Sequence, residues 1–169
     1  MFKSTSIQTK TLYEAFFLDT SCNISKSLPV RVANPHITVA FKPKTLHTDL
    51  YGLHARFRVT GYKNNGLNEG VSVEFLGAVD GTKEQNALLR KLLNDKGNAH
   101  LTISHIKGAT PLDTGNLSFD EDIPDGIDLI LRTTFGSYIS VTESTSYQPC
   151  LPPYEKHFCL VVKSNPKET

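Results

Sequence analysis

The chain has 169 residues, of which 38% are hydrophobic and 21% charged, and its formal net charge is +1. That is the composition of a globular domain long enough to build a real core. It carries no strong field for bulk nucleic acid or an anionic membrane, although a small nucleotide needs only a local basic patch.

Residues 11–18 (TLYEAFFL) read as a first strand, aromatic and partly alternating. Residues 21–28 read as a short helix ended by Pro29. Pro35 suits the start of a strand, where its missing N–H costs least, and residues 37–41 carry that strand to Lys42-Pro43. Residues 53–62 and 70–76 both alternate polar and apolar, with Asn64-Asn65-Gly66 as a turn between them, which predicts an antiparallel hairpin. Arg56 and Arg58 then share a solvent face and Phe57 faces the core.

The spacing predicts a helix over 82–94. Thr82 and Gln85 stand at capping-box separation, Leu88, Leu89, Leu92 and Leu93 form one apolar stripe, and Gly97 supplies the stop. A strand follows over 99–106, then a Gly/Pro/Asp-rich loop from about 107 to 126. Residues 127–134 and 138–142 read as two strands joined near Gly136, 145–153 as loop, and 158–162 as a last buried strand before a polar, frayed tail.

Two stretches match each other. Pro35-His36-Ile37-Thr38-Val39 and Ala99-His100-Leu101-Thr102-Ile103 both run His, apolar, Thr, apolar, each in a strand. Side chains two apart on a strand share a face, so each motif presents an imidazole beside a hydroxyl and turns its apolar residues inward. In-line cleavage of a phosphodiester needs a base for the nucleophile and an acid for the leaving oxygen, and histidine serves either role at neutral pH. Thr38 and Thr102 are placed to hydrogen-bond non-bridging phosphate oxygens. Nothing in this scheme calls for a metal or another cofactor. The other four histidines, His47, His54, His105 and His157, do not repeat the motif. His105 lies an odd number of positions from His100, which on a regular strand turns it to the opposite face.

The paired motif resembles the signature of the 2H phosphoesterase superfamily, whose members carry two His-x-Thr/Ser motifs. That resemblance implies an α+β fold, bilobal, with two antiparallel sheets around a central cleft and few helices. It makes residues 1–169 one domain of two pseudo-symmetric lobes, with a metal-independent site in the cleft. Carried over by position, His36 and His100 become the acid/base pair, and Thr38 and Thr102 hold the phosphate. The first lobe departs from the family in lacking a clear helix. Within the superfamily, the size and the Leu12-Tyr13-Glu14-Ala15 opening look most like phage anti-CBASS nucleases, which cleave cyclic oligonucleotide messengers. Tyr13 is then a candidate substrate contact.

Tyr138, Glu143 and Tyr147 lie near a predicted strand end, where ligand contacts often arise, and Glu143 is a candidate for bonding a base or ribose edge. Lys42, just past the first motif strand, reads first as a solvated strand-end lysine and second as a phosphate contact, and Lys107 has the same two readings. The expected substrate is a cyclic oligonucleotide. An RNA 2′,3′-cyclic end, a 2′,5′-oligoadenylate and noncatalytic nucleotide binding are the alternatives. No membrane association and no obligate protein partner are expected. Cys22, Cys150 and Cys159 are odd in number and lack metal spacing, and the first six residues lack the apolar core of a secretory signal. The expected compartment is the cytoplasm, that of the host for a viral protein.

Overall fold

A computed structural model describes the backbone of residues 2–148 and the side chains of residues 7–141. Seven strands form one sheet: β1 (Phe2–Leu18), β2 (Val30–Arg31), β3 (His36–Phe41), β4 (His54–Asn64), β5 (Asn68–Ala78), β6 (His100–His105) and β7 (Ile130–Gln148). A single α-helix, α1 (Lys83–Lys96), and two 3-10 turns, Thr48–Leu50 and Pro111–Asn116, complete the described elements. The fold is therefore sheet-rich α+β, with one hydrogen-bonded sheet where two were expected. No helix among the described residues is long and apolar enough to cross a membrane.

The local expectations fare unevenly. The β4–β5 hairpin turns at Asn64–Asn68, and α1 carries the complete capping box, with Gln85 N–H on the Thr82 hydroxyl and the Gln85 side chain on Thr82 N–H. Residues 21–28 form no helix. Asn23 N–H donates to Asp128, Ile24 bridges to Ile127, and the Cys22 thiol meets the Arg132 backbone, so long-range partners take up the backbone groups a helix would have used. Gly136 makes no turn, and β7 runs straight through it. The expected strand at 158–162, the tail, and Cys150, His157 and Cys159 lie outside the described residues.

The strand order is β2-β6-β5-β4-β7-β1-β3. At its centre β4 pairs antiparallel with β7, Arg56 opposite Arg132. From that pair outward the order is β4, β5, β6 and then the two-residue β2 on one side and β7, β1, β3 on the other, so apart from β2 the two sides correspond strand for strand. The registers repeat as well. Phe17, Ala15 and Glu14 of β1 stand opposite His36, Thr38 and Ala40. Ser72, Gly70 and Glu69 of β5 stand opposite His100, Thr102 and Ser104. In both pairs the motif strand takes one extra residue, Val39 or Ile103, at the same step after the threonine. The segment from Glu14 to His36 is nine residues shorter than that from Glu69 to His100, and only the longer one contains a helix.

Two compact units can be distinguished. One is Tyr13–Ser137, which holds both motif strands, α1 and the core; the other gathers the described residues 2–12 and 138–148. The core of the first unit is an aromatic cluster in which Phe16 meets Phe57, Phe75 and Phe135 at ring separations of 4.9–5.9 Å. Around it Ile37, Val39, Leu101 and Ile103 are buried from the motif strands, and Leu89 and Leu93 from α1. The two motif strands, β3 and β6, come alongside each other, although no ladder joins them.

Gly70 shows how closely the turn at Pro111–Asn116 sits on β5. A Cβ there would stand 2.6 Å from Thr114 Cγ2 and 2.8 Å from the Leu101 carbonyl oxygen. We expect Gly70→Ala to cost about 1–3 kcal/mol, because backbone must move to admit the methyl. A denaturant midpoint equal to that of the parent would contradict this packing.

Candidate active site

The two histidines are held in the same way. His36 Nδ1 lies 2.7 Å from the Asn34 carbonyl oxygen, and His100 Nδ1 lies 2.7 Å from that of Asn98. Each Nδ1–H donates to the carbonyl two residues upstream, which places the lone pair on Nε2 and fixes the ring. The repeated unit is therefore Asn-x-His-apolar-Thr, one Asn longer than the motif read from the sequence. In the second half the helix stop builds this anchor. Gly97 (φ 68°) and Asn98 (φ 49°) both take left-handed backbone at the end of α1, and that reversal brings the Asn98 carbonyl to the His100 ring.

His36, Thr38, His100 and Thr102 are all half-buried, while Ile37 and Leu101 between them are fully buried, as strand alternation requires. Thr102 Oγ1 points at the Pro111 carbonyl at 3.5 Å, too long to hold the hydroxyl strongly. Gly115 packs on the His100 ring: a Cβ there would lie 3.1 Å from Cε1. Phe119 lies roughly parallel to the same imidazole, with ring centres 6.3 Å apart.

Burial under this cover pushes the His100 imidazole below the ordinary histidine value. The Asn98 carbonyl pulls it partly back, and the charges of Lys96 and of His36 push it down further.

Tyr13 is 5% exposed, and its ring stacks on His36 with centres 4.4 Å apart and planes 20° from parallel. Phe17 flanks the same imidazole at 5.8 Å. Tyr13 therefore backs the imidazole. Glu143 and Tyr147 lie on β7, in the unit that excludes His36 and His100, and their side chains fall outside the described ones. Tyr138 belongs to that unit too. Lys107 is exposed just past β6.

The extra residue at Ile103 corrects the reading of His105. His105 stands opposite Asn68, and Asn68 lies two residues from Gly70, the partner of Thr102, so His105 returns to the face of His100 and Thr102. It is buried there, its Nδ1 on the Ile106 carbonyl. Some four ladder steps along the strand, about 13 Å, keep it from forming a pair with His100. His47 and His54 are each bonded to a carboxylate, Glu14 and Asp80. Among the described residues no three His, Cys, Asp or Glu side chains stand together as a metal site.

Two functional-looking residues escape a reading of the sequence. Glu14 and Glu69, both fully buried, sit at matching positions beside the extra residue of each motif strand. Glu14 accepts from His47 N–H, His47 Nδ1–H and the Tyr51 hydroxyl, each at 2.8 Å. Glu69 accepts from Ser27 N–H at 2.9 Å, the Ser104 hydroxyl at 2.6 Å and the Tyr62 hydroxyl. Burial first, then the bond to Glu69, pushes the Tyr62 phenol up to about 12, so it stays a donor. Each carboxylate ties a motif strand's partner to a distant loop. The signal was available as Glu14-Ala15-Phe16 and Glu69-Gly70-Val71, which share Glu, small, apolar.

No protein-family model matches the chain, and no curated protein matches it.

Proposed function

We propose that the protein is a metal-independent phosphodiesterase that hydrolyses cyclic oligonucleotides by paired histidine catalysis. The observation that carries this reading is the duplicated anchor, in which a backbone carbonyl accepts from Nδ1–H and fixes the ring orientation of both His36 and His100. In the 2H phosphoesterase reading, the two halves of the sheet are the two lobes and the face shared by β3 and β6 is the cleft.

His100, whose proton affinity is lowered, is the resting base. Its Nε2 takes a proton from water or from a substrate 2′-hydroxyl as that oxygen attacks phosphorus. The opposite P–O bond breaks, and His36 Nε2–H gives its proton to the departing ribose oxygen. Attack by water leaves a linear phosphate end, and attack by the 2′-hydroxyl leaves a 2′,3′-cyclic phosphate. The Thr38 and Thr102 hydroxyls donate to the non-bridging oxygens as their charge grows. Immune-signalling messengers in counter-defence are the substrates that the resemblance favours.

The test is a pH–rate profile on a cyclic dinucleotide in excess chelator. A base that must be neutral and an acid that must be protonated predict a bell-shaped kcat/KM. Because the His100 imidazole is pushed down, the acid limb falls below pH 6.5, the ordinary histidine value. His36→Ala should abolish the alkaline limb and keep the acid one. A rate flat from pH 5 to 9, or one lost on chelation, would overturn the assignment.

A further inference from the structure

We propose that Phe41, together with Lys42, forms a stacking platform for a nucleobase of the substrate beside the Thr38 phosphate site. The inference rests on the nucleotide reading above and specifies how that site would grip a base.

Phe41 ends the strand that carries His36 and Thr38, and it is 57% exposed. On a regular strand it would point away from them, because it lies an odd number of positions from both. The extra residue at Val39 reverses that phase. Phe41 stands opposite Tyr13, and Thr38 opposite Ala15, two residues further along β1. Residues two apart on a strand share a face, and directly opposed residues share one too, so Phe41 joins Thr38 and His36. The stacking of Tyr13 on His36 places that face independently. The equivalent position in the second half is His105, which is buried. The two halves thus differ where a base would bind: one offers an exposed ring, the other a closed wall.

Lys42 supports the same assignment. It takes left-handed backbone (φ 47°), uncommon for a non-glycine residue, and its ammonium stands over the Phe41 ring, 5.5 Å from the centre. The ring, 57% exposed, carries a cation over one face, and a base stacking on it would set its neighbouring phosphate beside that positive charge. Exposed aromatics next to cations are the usual means of holding single-stranded nucleotides, because every base has a π-face.

The experiment uses a ribodinucleotide containing 2-aminopurine, whose fluorescence is quenched on stacking, and the same probe with an abasic site in place of the fluorescent base, followed by calorimetry. Phe41 is exposed, so its variants are expected to fold, and circular dichroism checks that they do. Phe41→Ala should weaken binding of the base-bearing probe on the order of 10- to 100-fold and relieve its quenching, while binding of the abasic probe stays the same. Phe41→Tyr should bind as the parent does. Equal binding and quenching by the parent and Phe41→Ala would overturn the platform and leave the proposed hydrolysis standing. A parent that cleaves nothing but shows the Phe41-dependent quenching would overturn the hydrolysis and uphold the platform. A parent that does not bind the probe and does not cleave a cyclic dinucleotide would overturn both.

Discussion

Either single variant, His36→Ala or His100→Ala, should lower kcat by about 10²- to 10⁴-fold, the contribution of one positioned acid or base. The double variant should be little worse than either single one, because the two groups act as a unit in one transition state. KM should change less than kcat, since neither imidazole is asked to hold the ground-state phosphate. Thr102→Val should cost less, about 10²-fold, as expected for one lost donor to a charged oxygen. Single-turnover kinetics on folded variants measure all four. Losses that multiply in the double variant would show two independent contributions and contradict a concerted transfer.

Glu69→Ala should be the most destabilising substitution considered, by about 3–5 kcal/mol. It removes a fully buried carboxylate and strands three donors: Ser27 N–H, the Ser104 hydroxyl and the Tyr62 hydroxyl. Buried donors left without acceptors bear the full cost of losing water. Glu69→Gln keeps the shape and one acceptor oxygen and should cost roughly half as much or less. The effect should appear as a fall in the urea midpoint with an unchanged slope. A loss below 1 kcal/mol for the alanine variant would mean that the cluster relaxes or admits water. The same logic predicts that Glu14 anchors the first half through His47 and Tyr51.

What could be read from the sequence were features written locally. The turn at Asn64-Asn65-Gly66 and the Thr82–Gln85 capping box each depend on a few adjacent residues, and both form as expected. So did the inward turn of Phe57 between exposed Arg56 and Arg58. Features set by long-range contact were not legible. Gly136 looks like a turn residue, yet it lies within β7 where the Phe17 ring approaches, 3.7 Å from where its Cβ would be. The expected helix over 21–28 gave way to bonds with residues 126–132, far along the chain.

The internal repeat was half visible for a similar reason. Its two parts are offset differently, Glu14 to Glu69 by 55 positions and His36 to His100 by 64, because α1 is inserted only in the second half. A search at one fixed offset finds the histidines and misses the glutamates. The extra residues at Val39 and Ile103 were illegible altogether, since Val-Ala-Phe and Ile-Ser-His carry no Gly or Pro to mark a bulge. Those two residues decide which side chains beyond the threonines join the candidate site.

The most direct test of the central claim is an endpoint assay by mass spectrometry in excess EDTA. Wild type and His100→Ala would be incubated with cyclic dinucleotides and trinucleotides, 2′,5′-oligoadenylate and RNA ending in a 2′,3′-cyclic phosphate. The account predicts linear products from the cyclic oligonucleotides with wild type and none with the folded variant. No product from any substrate with folded wild type, or equal product from His100→Ala, would contradict it.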